Sequence, residues 1–218
     1  MSGSINAKAK LSLTTLETRE VPAALTSFNA NTGALTVTID NAFNFNGQNA
    51  QITGFGGVVQ VNGQNALSGG RTIPSPNVKS IVVNGSGFDN FIDLRQVTTQ
   101  SFRGLDGKIT VNAGAGNDMV HGSAFGDNIN GGNDNDVLVG NFGNDVIRGG
   151  AGSDSISGGS GWNKLYGEGG NDVFHGVNFN DSFNEYYGTH GSNDVITIFS
   201  SSRDRVMSGS PRIINRVR

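Results

Sequence analysis

The chain has 218 residues, of which 34 Gly, 27 Asn and 14 Asp make up about a third, while Glu occurs only 4 times. This composition excludes a helical protein, because Gly costs roughly 1 kcal/mol in a helix and because Asn and Asp favour turns. A net charge of −3, 13 Phe and only 4 Pro exclude a highly charged disordered chain and collagen, and the absence of Cys excludes disulfides and thiolate metal sites.

Residues 1–26 are predicted to be a leader or sorting segment. The segment contains Leu16-Glu17-Thr18-Arg19 and Pro22-Ala23, but it has no apolar core of the kind that an ordinary secretory signal needs. These residues resemble the short LExR segment near the N-terminus of some secreted or surface-attached bacterial proteins, which implies export. The alternative is a leader without fixed structure. No apolar run in the chain approaches the roughly 18 residues of a membrane span.

Residues 27–110 are predicted to form irregular β coils or a cap. The segment 83–93 aligns with the segment 111–121 at an offset of 28 residues, and residues 35–39 alternate between apolar and polar side chains as a strand does. Both observations fit longer coils of one solenoid or a small β-cap that covers its end. Asp89, Asn90 and Asp93 form either a degenerate calcium site or a solvated turn.

A nine-residue repeat begins at Ala113 and continues for eight units without insertion. The units are AGAGNDMVH, GSAFGDNIN, GGNDNDVLV, GNFGNDVIR, GGAGSDSIS, GGSGWNKLY, GEGGNDVFH and GVNFNDSFN. The first position is Gly in seven of the eight units. The sixth position is Asp118, Asp127, Asp136, Asp145, Asp154, Asn163, Asp172 and Asp181. The eighth is Val120, Ile129, Leu138, Ile147, Ile156, Leu165, Phe174 and Phe183.

Each unit has the chemistry of a turn followed by a short strand. The Gly-rich half can adopt positive φ angles, and the polar–aliphatic–polar half suits a strand whose middle side chain points inward. Two units make an 18-residue coil, and coils stack as parallel strands about 4.8 Å apart, so that the aliphatic column becomes a continuous core. The sequence therefore predicts an all-β protein, a parallel β-roll or β-helix solenoid with irregular N-terminal β coils.

Stacking brings the sixth-position carboxylates together on two edges of this solenoid. Residues 113–184 carry nine acidic and two basic side chains, a net charge of −7. Neighbouring carboxylates about 4.8 Å apart repel by roughly 1 kcal/mol per pair in water and by more in a medium of lower dielectric constant. A cation must therefore sit between the coils, and carboxylate and carbonyl oxygens are hard ligands that select Ca²⁺.

The G-G-x-G-x-D pattern with its aliphatic pair resembles the RTX (repeats-in-toxin, hemolysin-type) calcium-binding nonapeptide. The resemblance implies that Asp side chains and turn carbonyls of successive coils bind several Ca²⁺ ions, with four strong sites, paired as 118/136, 136/154, 154/172 and 127/145. The implied ligands are Asp118, Asp127, Asp136, Asp145, Asp154, Asp172 and Asp181, with Asp134 as an additional ligand. Sites that depend on Asn163 are expected to be weak or absent, because the acid is missing and Lys164 adds a positive charge.

The calcium-binding roll with its C-terminal cap is predicted over residues 111–200, with residues 193–199 as a final capping strand. Residues 201–218 contain five Arg and one Asp, and they are predicted to be a solvated basic tail with no nucleic-acid partner.

No HExxH, GxSxG or Walker-type motif is present, and His121 and His175 lie three coils apart in the predicted register. We therefore expect a non-enzymatic, secreted or cell-surface bacterial protein that binds calcium, folds in response to it and serves as a structural, surface or adhesion element. A cell-surface or matrix polysaccharide is the candidate partner. The alternative is a carbohydrate-binding or carbohydrate-active β-helix protein of the lyase or epimerase type.

Overall fold

A computed structural model describes residues 24–39, 48–176, 183–187, 194–199, 205–208 and 212–217. The strands are β1 (Ala24–Asn29), β2 (Ala34–Ile39), β3 (Gln48–Phe55), β4 (Val58–Val61), β5 (Gln64–Asn65), β6 (Leu67–Ser68), β7 (Arg71–Thr72), β8 (Ser80–Ser86), β9 (Asn90–Asp93), β10 (Lys108–Ala115), β11 (Met119–His121), β12 (Asp127–Asn133), β13 (Val137–Val139), β14 (Val146–Ala151), β15 (Ser155–Ser157), β16 (Trp162–Gly169), β17 (Val173–His175), β18 (Phe183–Tyr187), β19 (Val195–Phe199), β20 (Arg205–Ser208) and β21 (Arg212–Val217). A single 3₁₀ turn is described, at Ser75–Asn77, and no described helix has the length and apolar character needed to cross a membrane.

Two stacked, mainly parallel sheets carry the fold. The first has the order β1-β2-β8-β10-β12-β14-β16-β18-β20, and the second has the order β21-β19-β17-β15-β13-β11-β9-β3-β4-β5. From β8 onward the chain passes from one sheet to the other at every turn, so that neighbouring strands of one sheet are separated in sequence by a strand of the opposite sheet. The predicted all-β parallel β-roll is confirmed.

The strand register follows the predicted 18-residue coil. Val120 pairs with Leu138 in the second sheet, and Ile129 pairs with Ile147 in the first. The inward-facing side chains of the first seven repeats are all fully buried, namely Val120, Ile129, Leu138, Ile147, Ile156, Leu165 and Phe174. Because each such side chain contributes about 1.5–3 kcal/mol when it is buried, this column is the core of the roll.

The N-terminal region combines parallel coils with antiparallel hairpins. Its strands β8 and β9 join the roll in parallel, with Val83 beside Val111 and Ile92 beside Val120, which confirms the offset of 28 residues. The pairs β1–β2, β3–β4, β4–β5 and β6–β7 are instead antiparallel hairpins. We call residues 24–112 the N-terminal coils.

The regular period ends earlier than the sequence predicts, but the stack continues. Asn163 pairs with Asn184, an offset of 21 residues, and Phe174 pairs with Ile196, an offset of 22. The eighth repeat is therefore out of register by three residues, so that Tyr186 rather than Phe183 continues the buried column. Strands β20 and β21 extend both sheets into the segment predicted to be a solvated tail.

Candidate metal centre

Two rows of turns connect the sheets of the roll. We call the first edge the row formed by turns 113–118, 131–136, 149–154 and 167–172, and the second edge the row formed by turns 122–127, 140–145 and 158–163. Each turn ends on the sixth position of its repeat, immediately before a short strand. The inward-pointing eighth position anchors the turn to the core, and the acidic residue two positions earlier is thereby held at the margin between the sheets.

The first edge contains a continuous ladder of buried aspartates. The backbone N–H of Asp118 donates to Oδ1 of Asp136 at 2.8 Å, and the N–H of Asp136 donates to Oδ1 of Asp154 at 2.9 Å. Asp172 continues the ladder by accepting the N–H of Asp154 at 2.9 Å. All four side chains are buried. The predicted pairs 118/136, 136/154 and 154/172 are therefore brought together on adjacent coils.

Each of these carboxylates uses only one of its two oxygens. The Oδ2 atoms of Asp118, Asp136, Asp154 and Asp172 are buried without a hydrogen-bond partner, and so is Oδ2 of Asp145 on the second edge. An unpaired buried polar atom costs about 1–3 kcal/mol, and more when it carries charge. A proton or a cation must therefore compensate these oxygens.

Glycine at the first position of the repeat leaves space beside the orphaned oxygens. A Cβ atom on Gly149 would lie 2.2 Å from Oδ2 of Asp154 and 2.8 Å from the carbonyl oxygen of Gly167. On Gly131 the corresponding distances, to Oδ2 of Asp136 and the oxygen of Gly149, are 2.3 and 2.7 Å. Neither Gly131 nor Gly149 has a positive φ, unlike the second-position glycines that follow them. Gly is required at the first position because a side chain there would collide with the carboxylate and with the next coil. The backbone φ angle imposes no such requirement.

This chemistry fits calcium. The space at four first-position glycines, Gly122, Gly131, Gly140 and Gly149, is bounded by a carboxylate oxygen and a carbonyl oxygen, and Ca²⁺ takes six to eight such oxygen ligands. The described residues contain no group of three or more His, Cys, Asp or Glu side chains, so backbone carbonyl oxygens would have to complete any coordination shell.

Burial also changes the protonation of the ladder. Burial raises the pKa of Asp118 and Asp136 to about 7, that of Asp145 to about 8 and that of Asp172 to about 6. The pKa of Asp154 is raised for the same reason. Hydrogen bonds from backbone N–H groups oppose the shift but do not cancel it. Without a cation, these carboxyl groups are partly protonated near neutral pH, and a bound cation would stabilise the charged form.

The second edge has a shorter acidic ladder. The N–H of Asp127 donates to Oδ1 of Asp145 at 2.9 Å, so the predicted pair 127/145 is also brought together. Both carboxylate oxygens of Asp127 have hydrogen-bond partners within their own turn, because the N–H and the hydroxyl of Ser123 donate to them at 2.7 and 3.0 Å. The strand register places Ile109 beside Asp127, where the acidic column ends.

Amides replace carboxylates on the other side of Asp145. The N–H of Asp145 donates to Oδ1 of Asn163 at 2.9 Å, and Nδ2 of Asn163 donates to Oδ1 of Asn184 at 3.0 Å. An amide both donates and accepts, so this joint between coils holds without a cation. The prediction that Asn163 weakens the calcium site stays a prediction, and Asp181 lies outside the described residues. Asn184 occupies the position opposite Asn163 that the repeat assigns to Asp181.

Asp134 lies outside the buried ladder. Its side chain is exposed, its φ is +73°, and its Oδ2 accepts the N–H of Gly116 at 3.1 Å. It therefore replaces the fourth-position glycine as a left-handed turn residue and links adjacent coils. Phe125, another replacement at this position, does not have a positive φ; its N–H donates to the Ser123 hydroxyl at 2.9 Å, which stabilises a different turn.

Two ladder residues are missing from the predicted set. The N–H of Asp172 donates to Oδ1 of Asp194 at 3.1 Å, and Asp194 is buried, so the acidic ladder extends one coil beyond the repeat. The sequence signal for Asp194 is the segment Asn-Asp-Val-Ile at 193–196, which is identical to the segment at 144–147 that contains Asp145. At the other end Asn90 donates its N–H to Oδ1 of Asp118 at 2.7 Å and terminates the ladder with an amide.

Asp89 is exposed in the bend before β9, as the solvated-turn alternative predicts, whereas Asp93 is buried in an ion pair. Asp93 is buried and accepts hydrogen bonds from Nε and Nη2 of Arg95 at 2.9 and 2.8 Å.

A second ladder of hydrogen bonds runs along the exposed side of the first edge. Oδ1 of Asp89 accepts the N–H of Asn117 at 2.7 Å, and the side-chain oxygens of Asn117 and Asn135 accept the N–H groups of the next coils in the same way. In this outer ladder an Asn at the fifth position ties one coil to the next.

Comparison with known families agrees with this geometry. The family model of the RTX calcium-binding nonapeptide repeat (4 copies) matches residues 112–147, 139–174 and 148–183, which together cover about a third of the chain. The chain therefore carries RTX calcium-binding repeats, arranged as stacked aspartate ladders in a parallel β-roll. Searches of curated proteins and of solved structures returned no match.

Proposed function

We propose that this chain is an exported, non-enzymatic protein whose roll is completed by calcium and which serves as a structural, surface or adhesion element of a bacterium. The observation that carries the proposal is the set of five buried Oδ2 atoms without a partner, at Asp118, Asp136, Asp145, Asp154 and Asp172. The N-terminal LExR segment supports export by resemblance, and it lies outside the described residues.

Calcium would be held by the two acidic ladders together with backbone carbonyl oxygens of the Gly-rich turns. On the first edge Asp118, Asp136, Asp154 and Asp172 supply one orphaned oxygen each. On the second edge Asp145 supplies the only orphaned oxygen among the described residues, since Asp127 is bonded to Ser123. The ion supplies positive charge between coils that would otherwise repel one another.

Coupling between calcium and folding follows from this arrangement. A ligand that binds only the folded state stabilises it by RT ln(1 + [L]/Kd), which is about 2.7 kcal/mol at a hundredfold excess over Kd. Extracellular calcium would then allow the roll to fold after export, in a chain that has no disulfides.

The absence of catalysis is part of the proposal. Perturbed carboxyl pKa values often mark active sites, but here they recur once per coil and face the next coil. His121 and His175 are three coils apart in the second sheet, with Val139 and Ser157 between them. Turnover of a polysaccharide by the calcium-loaded chain would contradict this part of the proposal.

Calorimetric titration of the calcium-depleted chain with Ca²⁺ tests the binding sites. We expect saturable binding that weakens in Asp154→Asn, because this change removes a carboxylate shared by two pairs of coils. The matched control is Asp106→Asn, the same change at an exposed residue of the N-terminal coils. Equal affinity in wild type and Asp154→Asn, or an equal loss in both variants, would contradict the proposed ladder.

A further inference from the structure

A pocket in the N-terminal coils lies between two segments that are far apart in the sequence. One wall is the turn that joins β1 to β2, and the other is the 3₁₀ turn at Ser75–Asn77 with the residues that follow it. The pocket has a volume of about 260 Å³, and we call it the turn pocket. The side chains that concern its chemistry are Phe28, Asn31, Thr32, Pro76, Asn77 and Lys79.

Hydrogen bonds hold the two walls of the turn pocket in place. Oδ1 of Asn29 accepts the N–H groups of Asn31 and Thr32 at 3.0 and 3.2 Å, which fixes the turn. The carbonyl oxygen of Gly33 accepts the N–H of Lys79 at 2.8 Å, which ties the turn to the other wall. A Cβ atom on Gly33 would lie 2.5 Å from Cγ of Lys79, so the stem of the lysine packs directly against this glycine. A pocket formed before binding loses little conformational entropy when a ligand binds.

The polar side chains of the turn pocket are available to a ligand. Within the part of the chain that the structure describes, the side chains of Asn31, Asn77 and Lys79 have no hydrogen bond or ion pair. Oγ1 of Thr32 accepts the N–H of Ala34 at 3.4 Å, which leaves the hydroxyl proton of Thr32 free to donate. An ammonium group, two amides and a hydroxyl therefore converge on one cavity.

The ammonium of Lys79 supplies the charge of the turn pocket. The segment that packs beside it carries Arg103 and Asp106, one charge of each sign, and neither of these residues lines the pocket. An ammonium group pairs with a carboxylate through charge-assisted hydrogen bonds. The amides of Asn31 and Asn77 each have donors and an acceptor, so they can pair with neighbouring hydroxyl groups.

Phe28 and Pro76 give the turn pocket an apolar surface. Phe28 is half-buried and packs against the core. The face of its aromatic ring carries partial negative charge, which attracts the partially positive C–H groups on the apolar face of a sugar ring. The volume lies just below the roughly 300–1,000 Å³ of pockets that enclose drug-sized ligands, so the pocket suits a single ring.

We propose that the turn pocket binds a sugar ring that carries a carboxylate, as in a uronic acid unit of an acidic polysaccharide. Lys79 pairs with the carboxylate, Asn31 and Asn77 bond the ring hydroxyls, and Phe28 contacts the apolar face of the ring. This site lies in the N-terminal coils and outside the acidic ladders, so it is a second function in addition to calcium binding.

Calorimetric titration with short oligosaccharides tests the turn pocket. The calcium-loaded full-length chain is titrated, at constant free calcium, with the trimers of galacturonate, mannuronate and glucuronate, with the carboxyl-reduced form of each trimer, and with acetate and phosphate. We expect at least one carboxylated trimer to bind in a saturable way and to bind more weakly as the salt concentration rises. Its carboxyl-reduced form should bind at least about tenfold more weakly, because the ammonium then has no charged partner. Acetate and phosphate should give no measurable heat.

Variants locate the binding to the turn pocket. Lys79→Met removes the ammonium but keeps a stem that can pack against Gly33, and it should weaken binding of the same trimer about tenfold. Asn77→Ala should weaken it about threefold, because one amide is lost. Lys164→Met is the matched control, because Lys164 is an exposed lysine of the roll. Circular dichroism should be unchanged in all three variants, since the side chains are exposed.

Four results would overturn the inference: no binding of any carboxylated trimer, equal binding of a trimer and its carboxyl-reduced form, binding of acetate or phosphate as tight as that of the trimer, or the same loss of binding in Lys164→Met as in Lys79→Met. A calcium titration of the same samples separates this outcome from the calcium proposal. Calcium binding that persists while sugar binding fails would leave the ladders unaffected.

Discussion

The N-terminal coils and the roll stack strands in the same way, but they seal their edges with opposite chemistry. Ile109 on β10 lies beside Asp127 on β12, and Ile81 continues the same column on β8. One column of the sheet therefore changes from fully apolar side chains to buried carboxylates within two coils. The change occurs where the long connections of the N-terminal coils give way to six-residue turns.

Loop length explains the difference. The connection between β9 and β10 is long enough to fold back on the sheets, and its side chains Leu94, Val97, Phe102 and Leu105 are buried. Burial of such side chains contributes about 1.5–3 kcal/mol each, so this connection adds apolar burial to the common core that the short turns do not. Apart from Phe125, which packs half-buried against the core, the short turns of the roll bury no large apolar side chain and rely on backbone and carboxylate oxygens. The N-terminal coils should therefore fold without metal, whereas the roll requires a cation.

Truncation of matched core residues should separate the two regions most strongly. Ile81→Ala and Ile147→Ala each empty a fully buried position and should cost about 2–5 kcal/mol of folding free energy. The cost of Ile81→Ala should appear in thermal melts with and without calcium. The cost of Ile147→Ala should appear as a higher calcium concentration at the midpoint of folding, followed by circular dichroism. A shift of the calcium midpoint in Ile81→Ala alone would contradict the comparison.

Substitution of glycines should give a somewhat smaller effect. Gly149→Ala places a Cβ against Asp154 and the next coil, so it should destabilise the roll by about 1–3 kcal/mol and weaken calcium binding. Gly56→Ala meets no atoms and is strained only by a φ of +61°, so its cost of about 1–2 kcal/mol should leave the calcium isotherm unchanged. Calorimetry measures the stability and the calcium affinity of both variants. An unaltered calcium isotherm in Gly149→Ala would argue against the role of first-position glycine beside the carboxylates.

The amide joint of the second edge should behave like the N-terminal coils. Asn163→Ala removes the donor to Asn184 and should cost about 1–3 kcal/mol by urea unfolding, at the lowest calcium concentration that folds the roll and at saturating calcium alike. Asn130→Ala, at an exposed position of β12 in the roll, is a control for loss of an amide. A destabilisation of Asn163→Ala that calcium removes would indicate an ion at this joint.

Without calcium, pH should affect the two regions in opposite directions. Burial raises the pKa of Asp118 and Asp136 to about 7, above the value of about 3.9 in an unfolded chain. Their contribution to stability is therefore complete below about pH 4 and is lost as the pH rises through about 7. Hydrogen bonds from Arg95 lower the pKa of Asp93 to about 2, so its contribution is present above about pH 4 and is lost as the pH falls towards 2.

Urea unfolding of the metal-depleted chain, followed by the emission of Trp162 in the roll, measures the first of these effects. The roll should unfold in a cooperative transition at pH 5.5, where protons neutralise the buried carboxylates, and this transition should be lost at pH 8. In millimolar calcium the midpoint should instead be higher at pH 8 than at pH 5.5, because protons compete with the ion for the carboxylates. Midpoints that do not depend on pH in either condition would show that the ladder does not titrate. Asp93→Asn should reduce the loss of stability below pH 4 without changing the behaviour of Trp162.

The periodic part of the molecule could be predicted from its sequence. A fixed nine-residue period determines which side chains face inward, so the buried column, the two rows of aspartates and the parallel roll follow from the pattern. The offset of 28 residues that joins β9 to β11 was also visible, because the motif around Asn90 repeats around Asp118.

The features that sequence analysis missed lie where the period changes. Insertions of three and four residues shift the register after Asn163 and Phe174, and longer turns cost little because loop-closure entropy grows slowly with length. A search for one period therefore overlooked Asp194 and assigned Phe183 the position that Tyr186 occupies. The role of first-position glycine was also missed, because close approach to the next coil is a tertiary contact that composition does not reveal.

Hydrogen exchange followed by mass spectrometry, with calcium and after its removal, tests the central claim most directly. We predict that at pH 8 the amides of residues 24–39 and 48–112 remain protected in both conditions, while those of residues 113–176 are protected only with calcium. Equal protection of the roll after calcium removal would contradict the account, as would simultaneous loss of protection in both regions.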